Sequence, residues 1–188
     1  MIVVGLDLSL TSTGIAIIDT GASATVTRIT SKPPATPRGP NGKPLPPTLQ
    51  QRTDRLTGLR DRIFTMLKYA DLIVIETPAY SSKTGSTHDR SGLWWLVVEK
   101  LDYQGRYDVA EVSTTGRTKY ATGKGNASKD SVLAAVVRRY TDVPVEGNDE
   151  ADALILAAMG ARHLGHPIDD PLPKTHVAAL DAVHWPEL

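Results

Sequence analysis

Residues 71–76, DLIVIE, constrain the fold more than any other stretch of this chain. The run is apolar from Leu72 to Ile75 and ends in an acid. A strand that presents apolar side chains on both faces must be covered on both faces, so the chain needs a sheet with helices on each side. Three further strand patterns precede it, over residues 2–8, 14–19 and 24–30, with Asp19-Thr20-Gly21 as turn chemistry between the last two. Three consecutive strands predict an antiparallel meander. Residues 107–113 form one more short strand pattern. The expected class is α/β, with a five-stranded mixed sheet (three antiparallel N-terminal strands plus two parallel) flanked by helices.

Helical patterns appear in four places. Leu56, Leu59, Ile63, Met66, Leu67 and Ala70 predict an amphipathic helix over about 50–70, whose other face carries Arg52, Arg55, Arg60 and Arg62. Residues 93–101 predict a second helix that is apolar around most of its girth, with Trp94 and Trp95 in it. Such a helix suits either core packing or a subunit interface. Ser128 reads as the N-cap of a helix running to Tyr140. Asn148 or Asp149 opens a last helix with Ala151, Leu154, Ile155, Ala158 and Met159 inside, and Gly165 ends it. Seven of the 13 prolines lie between Pro33 and Pro47, so residues 31–48 form a loop that joins neither sheet nor helix. It serves as a mobile connector or as a DNA-contacting loop that orders on binding. Residues 166–188, rich in Pro and Asp, read as a tail with one short helical stretch. The organisation is one domain over 1–165, interrupted by the 31–48 insertion, plus that tail.

Composition removes several kinds of chemistry. The 188 residues include no cysteine, which excludes disulfides, thiolate nucleophiles, iron–sulfur clusters and Cys-ligated zinc. No apolar run approaches the roughly 20 residues that span a bilayer, and no membrane partner is expected. The opening MIVVGLDLS has no basic n-region, so a cytoplasmic setting is expected. The net charge is zero, with 21 basic and 21 acidic side chains, but the charges are unevenly placed. Residues 1–68 hold nine basic and four acidic residues, 69–139 ten and eight, and 140–188 two and nine, or +5, +2 and −7. Two segments, 28–68 and 112–139, are strongly basic, which suggests a face for polyanions. The four histidines at 163, 166, 176 and 184 read as surface residues.

Four carboxylates stand where a fold alone does not require them. Asp7 ends the first strand and Glu76 ends the buried one. Asp149 and Asp152 open the last helix, three residues apart and so on one face. Buried acids are costly unless paired or bound to metal. In α/β sheets, sites gather at the ends of neighbouring strands. Asp7 and Glu76 meet if their strands are adjacent, and the last helix then carries its pair over them. Acids at a helix N-terminus also complement the dipole, which accounts for Asp149 better than for the deeper Asp152. Oxygen-only ligation with no Cys or His nearby suits Mg²⁺ or Mn²⁺ rather than zinc. Two such ions about 4 Å apart activate water and stabilise the leaving oxygen in phosphodiester cleavage.

Three motifs carry a family resemblance: GLDLSLTSTGIAIID at 5–19, VIETP at 74–78 and NDEADALILA at 148–157. Together they resemble the RuvC-like Holliday-junction resolvases of the RNase H-like superfamily, over about residues 1–165. The resemblance implies an RNase H-like fold. It also implies metal-dependent, structure-selective cleavage of four-way and related branched DNA by paired symmetric nicks. Mg²⁺ or Mn²⁺, two ions per site, would be held by Asp7, Glu76, Asp149 and Asp152. Asp7 would bridge both ions, Glu76 and Asp152 would hold one each, and Asp149 would complete a site or orient the attacking water.

The family also uses lysines before its penultimate helix, and TGRTKYATGKGNASKDSV at 115–132 looks similar. Lys129 matches one position. Lys119 matches the other, at a spacing one residue short, with Arg117 as the competing choice. These would contact the scissile backbone or stabilise charge developing on the phosphorus. Lys83 and Lys124 complete the expected DNA contacts. Tyr80, four residues after Glu76, would stack on a base, where the family more often has Phe at three. The resemblance further implies a homodimer, with residues 93–101 as candidate interface. Branch-migration partners are possible but have no support in the residues. The length of the 31–48 insertion points to a divergent, phage-encoded version acting in a bacterial cell or an infected host. Rival readings are another RNase H-like nuclease acting on RNA–DNA hybrids or flaps, and a non-catalytic junction-binding protein. A third is a sugar kinase or actin-like ATPase, for whose two lobes 188 residues are too few.

Overall fold

The structure is a computed structural model that describes residues 1–78 and 87–187. Five strands, β1 (Ile2–Asp7), β2 (Ser12–Asp19), β3 (Ser23–Thr30), β4 (Leu72–Glu76) and β5 (Val109–Val112), form one sheet in the order β3-β2-β1-β4-β5. β1, β2 and β3 pair antiparallel, while β4 pairs parallel with both β1 and β5. This is the mixed sheet expected from the sequence, with the apolar DLIVIE strand next to the centre.

The helices are α1 (Leu49–Met66), α2 (Thr87–Tyr103), α3 (Thr114–Thr122), α4 (Lys129–Arg139), α5 (Asn148–His163) and α6 (Lys174–Val177), followed by a 3₁₀ turn at Leu180–Ala182. Among the described residues none of them is long and apolar enough to cross a membrane. Strand side chains alternate between two layers. Val4, Leu6, Ile15, Ile73 and Ile75 meet Leu59, Ile63, Leu93 and Val97 of α1 and α2. Val3, Ala16, Leu72, Val74 and Ala110 meet α5, α4 and α3. The alternation assigns Asp7 (after Val3 and Gly5) and Glu76 (after Leu72 and Val74) to the α5 side.

α5 lies close on the sheet. A methyl group placed on Gly5 would overlap the Ala153 carbonyl, and one on Gly14 would overlap the Asp149 carbonyl. Two glycines of adjacent strands thus let the helix backbone settle directly over β1 and β2.

Three regions differ from the sequence reading. Residues 114–122, part of the basic segment for which the sequence reading named no helix before Ser128, form α3, capped by the Ser113 hydroxyl accepting from the Gly116 N–H and closed by Gly123 at φ +80°. Residues 166–187, read as a tail, pack on the core through Ile168, Leu172, Ala179, Leu180, Val183 and Trp185. Asp169 anchors them, accepting hydrogen bonds from Tyr120, Tyr140 and Arg162. Two of the four histidines read as surface residues contact this region, one half-buried (His176) and one exposed at the end of α5 (His163). His176 Nδ1 lies 2.7 Å from the Tyr120 carbonyl, and His163 stacks on Trp185.

The third difference is the basic face of α1. Arg55 donates to the Leu10 and Ser31 carbonyls and to the Ser31 hydroxyl, Arg62 donates to the Thr30 carbonyl, and Arg52 pairs with Asp89 of α2. Arg55 and Arg62 thus tie the end of β3 and the start of the Pro-rich segment to the helix, and Arg52 ties α1 to α2.

Candidate active site

Asp7 is the last residue of β1, and the register that pairs Leu6 with Ile75 sets it beside Glu76, the last residue of β4. The Glu76 backbone is pinned from the opposite layer, since Trp94 Nε1 donates to its carbonyl at 3.0 Å. Asp149 and Asp152 come from the first two turns of α5. The start of that helix is held by Glu150, whose buried carboxylate accepts from the backbone N–H groups of Glu146 and Gly147 at 2.6 and 3.1 Å and pairs with Arg28 of β3 at 2.9 Å. The Gly14 contact fixes how near that turn sits to the sheet.

The four acids act on one another. The Asp7 carboxyl is pushed up to about 8, first by burial, then by the negative charges of Glu76 and Asp152, with Asp149 adding a smaller push and Arg117 opposing. Asp152 is pushed up to about 6, chiefly by burial and by Glu76, against Arg117 and Lys129. The sequence-named acids therefore share one electrostatic site.

α3 supplies its cation. Arg117 is 4 % exposed and forms ion pairs with both Glu76 and Asp152. Its Nη1 donates to Asp152. Its Nε lies 2.5 Å from Glu76 Oε2 without hydrogen-bond alignment, so that contact is purely one of charge. The Thr114 hydroxyl donates to the other Glu76 oxygen at 2.5 Å. Lys119 lies two residues further along α3, about 200° around the helix from Arg117, and is half-buried on another side. Lys129 begins α4 and is exposed, yet its charge reaches Asp152. Lys124 is exposed in the loop between α3 and α4. Tyr80 and Lys83 lie outside the described residues.

Reading the sequence did not place Arg117 among the acids or name Thr114, Glu150 or Arg28. Ser113 and Gly123 were the available signals for α3, and with that helix in hand its inward residue could have been counted off. A cavity of about 140 Å³ opens beside the acids, lined by Asp7, Glu76, Thr77, Arg90, Ser91 and Trp94.

The donor set is that of a hard-cation site: four carboxylates, oxygen ligands only, largely buried. One guanidinium does not balance their charge. In the present arrangement, however, no three acidic or imidazole side chains among the described residues converge tightly enough to hold an ion. The Arg117 guanidinium stands between Glu76 and Asp152.

No protein-family model and no curated protein sequence matches the chain. Solved structures do. Thermus thermophilus RuvC superposes with a TM-score of 0.60 at 16% identity, covering 92% of this chain and 100% of that one. The T. thermophilus RuvC complex with a Holliday junction substrate gives 0.59 at 18% identity, covering 92% and 99%. The fowlpox virus resolvase in complex with substrate Holliday junction DNA gives 0.51 at 12% identity, covering 87% and 99%. This chain therefore has the RNase H-like fold that the RuvC-type resolvases share.

Proposed function

We propose that the chain is a metal-dependent endonuclease that resolves four-way DNA junctions by paired symmetric nicks. The observation that carries this reading is that Asp7, Glu76, Asp149 and Asp152 act on one another as one buried electrostatic group at one end of a sheet, in a fold similar to that of junction-bound resolvases. Asp7, Glu76, Asp149 and Asp152 would hold Mg²⁺ or Mn²⁺, two ions in all. When bound, the cations supply an activated water and charge stabilisation for the leaving oxygen.

The chain's own residues do the rest. Burial of Asp7 and Asp152 removes competing water, so the carboxylates bind a cation more strongly than exposed ones would. Trp94 and Thr114 hold Glu76 from two sides, and Glu150 with Arg28 orients the first turn of α5. Lys129, exposed at the start of α4 and felt electrostatically at Asp152, would meet a DNA phosphate. Exposed Lys124, in the loop that leads into α4, extends that contact. Two active sites are needed for paired nicks, so the working form is a homodimer. Trp95, 63 % exposed on α2, supports that face as the interface.

Cleavage of a synthetic four-way junction in Mg²⁺, with linear duplex, flap and RNA–DNA hybrid controls, tests the reading. Wild type is expected to nick the junction symmetrically, leaving ligatable 5′-phosphates. Asp7→Asn should lose more than about a hundredfold, the scale already reached when a metal's outer partners are removed. A wild type that ignores junctions but cuts hybrids would make the chain a different RNase H-like nuclease.

A further inference from the structure

We infer that Arg117 is a resident counter-ion, occupying the place between Glu76 and Asp152 that a divalent cation takes, so that cation binding and the Arg117 ion pairs exclude each other. The inference rests on the metal-nuclease reading above.

Geometry carries it. Arg117 pairs with Glu76 through Nε and with Asp152 through Nη1, and its side chain is 5% exposed. With the guanidinium there, the described acids form no three-membered group able to hold an ion. The two acids it separates come from different elements, β4 and α5, and would otherwise repel across a largely buried gap. A guanidinium suits this task better than an ammonium would. It is planar, forks toward two carboxylates and stays charged when buried, so it cannot relieve the site by losing its proton. Its stem is long and its helix is anchored independently by buried Thr118, Tyr120 and Ala121. The head group can therefore withdraw while α3 stays in place. Once displaced, it stays within reach of the phosphate that the same cations would hold.

The pairing has an energetic consequence. Without metal, Arg117 stabilises the fold by compensating buried acids. With metal, its pairs must break, so part of the binding free energy is spent and apparent affinity falls. Removing Arg117 should lower metal-free stability and raise cation affinity at once, an opposition that a purely structural arginine does not produce.

The test is calorimetric titration of the full chain with Mn²⁺, together with thermal melting in chelator and in saturating Mn²⁺. For Arg117→Gln the expectation is a Kd lowered at least roughly tenfold, a fraction of what breaking a buried pair is worth. Its melting temperature should fall below wild type in chelator, and most of that gap should close with Mn²⁺. Arg117→Lys, which keeps the charge but not the fork, should fall between and serves if the Gln variant does not fold. Lys129→Gln controls for the general field and should change Kd by less than about threefold. Equal Kd values for wild type and both Arg117 variants would overturn the inference, as would a Lys129→Gln gain matching that of Arg117→Gln. A wild type and variants that all fail to bind Mn²⁺ would overturn the metal reading beneath it.

Discussion

The two faces of the sheet are closed in different ways. On one, α5 lies with its backbone almost against the strands, over Gly5 and Gly14, and Gly160 faces Val3 and Val74. On the other, α1 and α2 stand off on large side chains such as Leu59, Ile63, Leu93 and Trp94. Their own glycines are loosely surrounded: a methyl group on Gly58 would meet nothing within 4 Å, and one on Gly92 would meet only Leu56 at 3.7 Å. The difference follows the chemistry. The α5 face must bring Asp149 and Asp152 to fixed places over Asp7 and Glu76, and backbone-to-backbone contact leaves a helix few other positions. The α1–α2 face only covers apolar surface and can tolerate adjustment.

One methyl group separates these cases. Gly14→Ala should cost more than about 3 kcal/mol or prevent folding, because the obstruction is backbone and cannot rotate away. Gly58→Ala, the same change in an exposed turn of α1, should stabilise by about 0.5–1 kcal/mol. Urea unfolding of both variants measures the contrast. A Gly14→Ala protein within about 1 kcal/mol of wild type would remove the close-approach account.

The α5 face should also show its strain as a pH dependence in metal-free protein. Asp7 is pushed up to about 8 and Asp152 to about 6, both from an ordinary value of 3.8. The folded state thus holds protons that the unfolded state has released. Stability falls as pH rises, through the window from about 4 to 6 for both groups and on to about 8 for Asp7. Each proton contributes at most about 1.4 kcal/mol per pH unit. Unfolding free energies in chelator should therefore decline from pH 5 to 8, and Asp7→Asn should flatten the upper half. A flat wild-type profile would mean that the acids are compensated by something other than Arg117.

On the α1–α2 face the arginines allow a smaller contrast. Arg55→Met keeps the aliphatic stem but leaves the Leu10 and Ser31 carbonyls without their donor, at a cost of about 1–3 kcal/mol. The salt dependence of junction binding should not change. Lys124→Ala should do the reverse, leaving stability within about 0.5 kcal/mol and lowering the salt slope by about one phosphate contact. Binding titrations across salt concentration separate the two.

The fold is legible in the sequence where local pattern and tertiary demand agree. The apolar 72–75 run and the meander bury what their periodicity announces, and the four acids stand out because they interrupt such patterns. α5 goes further than its sequence stripe: every residue from Glu150 to Ala161 is buried, because the sheet, α3, α4 and the C-terminal segment cover it all round. α3 is not legible, since TTGRTKYAT has a glycine in its first turn, three β-branched threonines besides its opening one and no apolar stripe. It is held by its caps and by what packs on it. For the same reason Arg117 and Lys119 cannot be told apart from sequence: the choice between them is a rotation about a helix that periodicity does not reveal. The segment after Gly165 reads as a tail because Asp169 finds Tyr120 and Tyr140 at 49 and 29 residues' separation, beyond any local pattern. The charge count misleads at α1 because composition does not distinguish an arginine facing solvent from one bonded to carbonyls.

Trp94 and Trp95 bring the comparison down to neighbouring residues. The two rings meet edge to face at 4.9 Å, yet Trp94 is 9 % exposed and donates to the Glu76 carbonyl, while Trp95 is 63 % exposed. Trp94→Phe should therefore act on the site, reducing cleavage with a stability loss of about 1 kcal/mol for the lost hydrogen bond. Trp95→Ala should change monomer stability by less than about 0.5 kcal/mol, because the lost surface is already wet. If α2 forms the dimer interface, the same change weakens self-association strongly, since an exposed aromatic in a two-fold contact is used twice. Sedimentation velocity across protein concentration reads this directly. A Trp95→Ala chain that dimerises as wild type does would move the interface elsewhere and leave Trp95 as an isolated exposed ring.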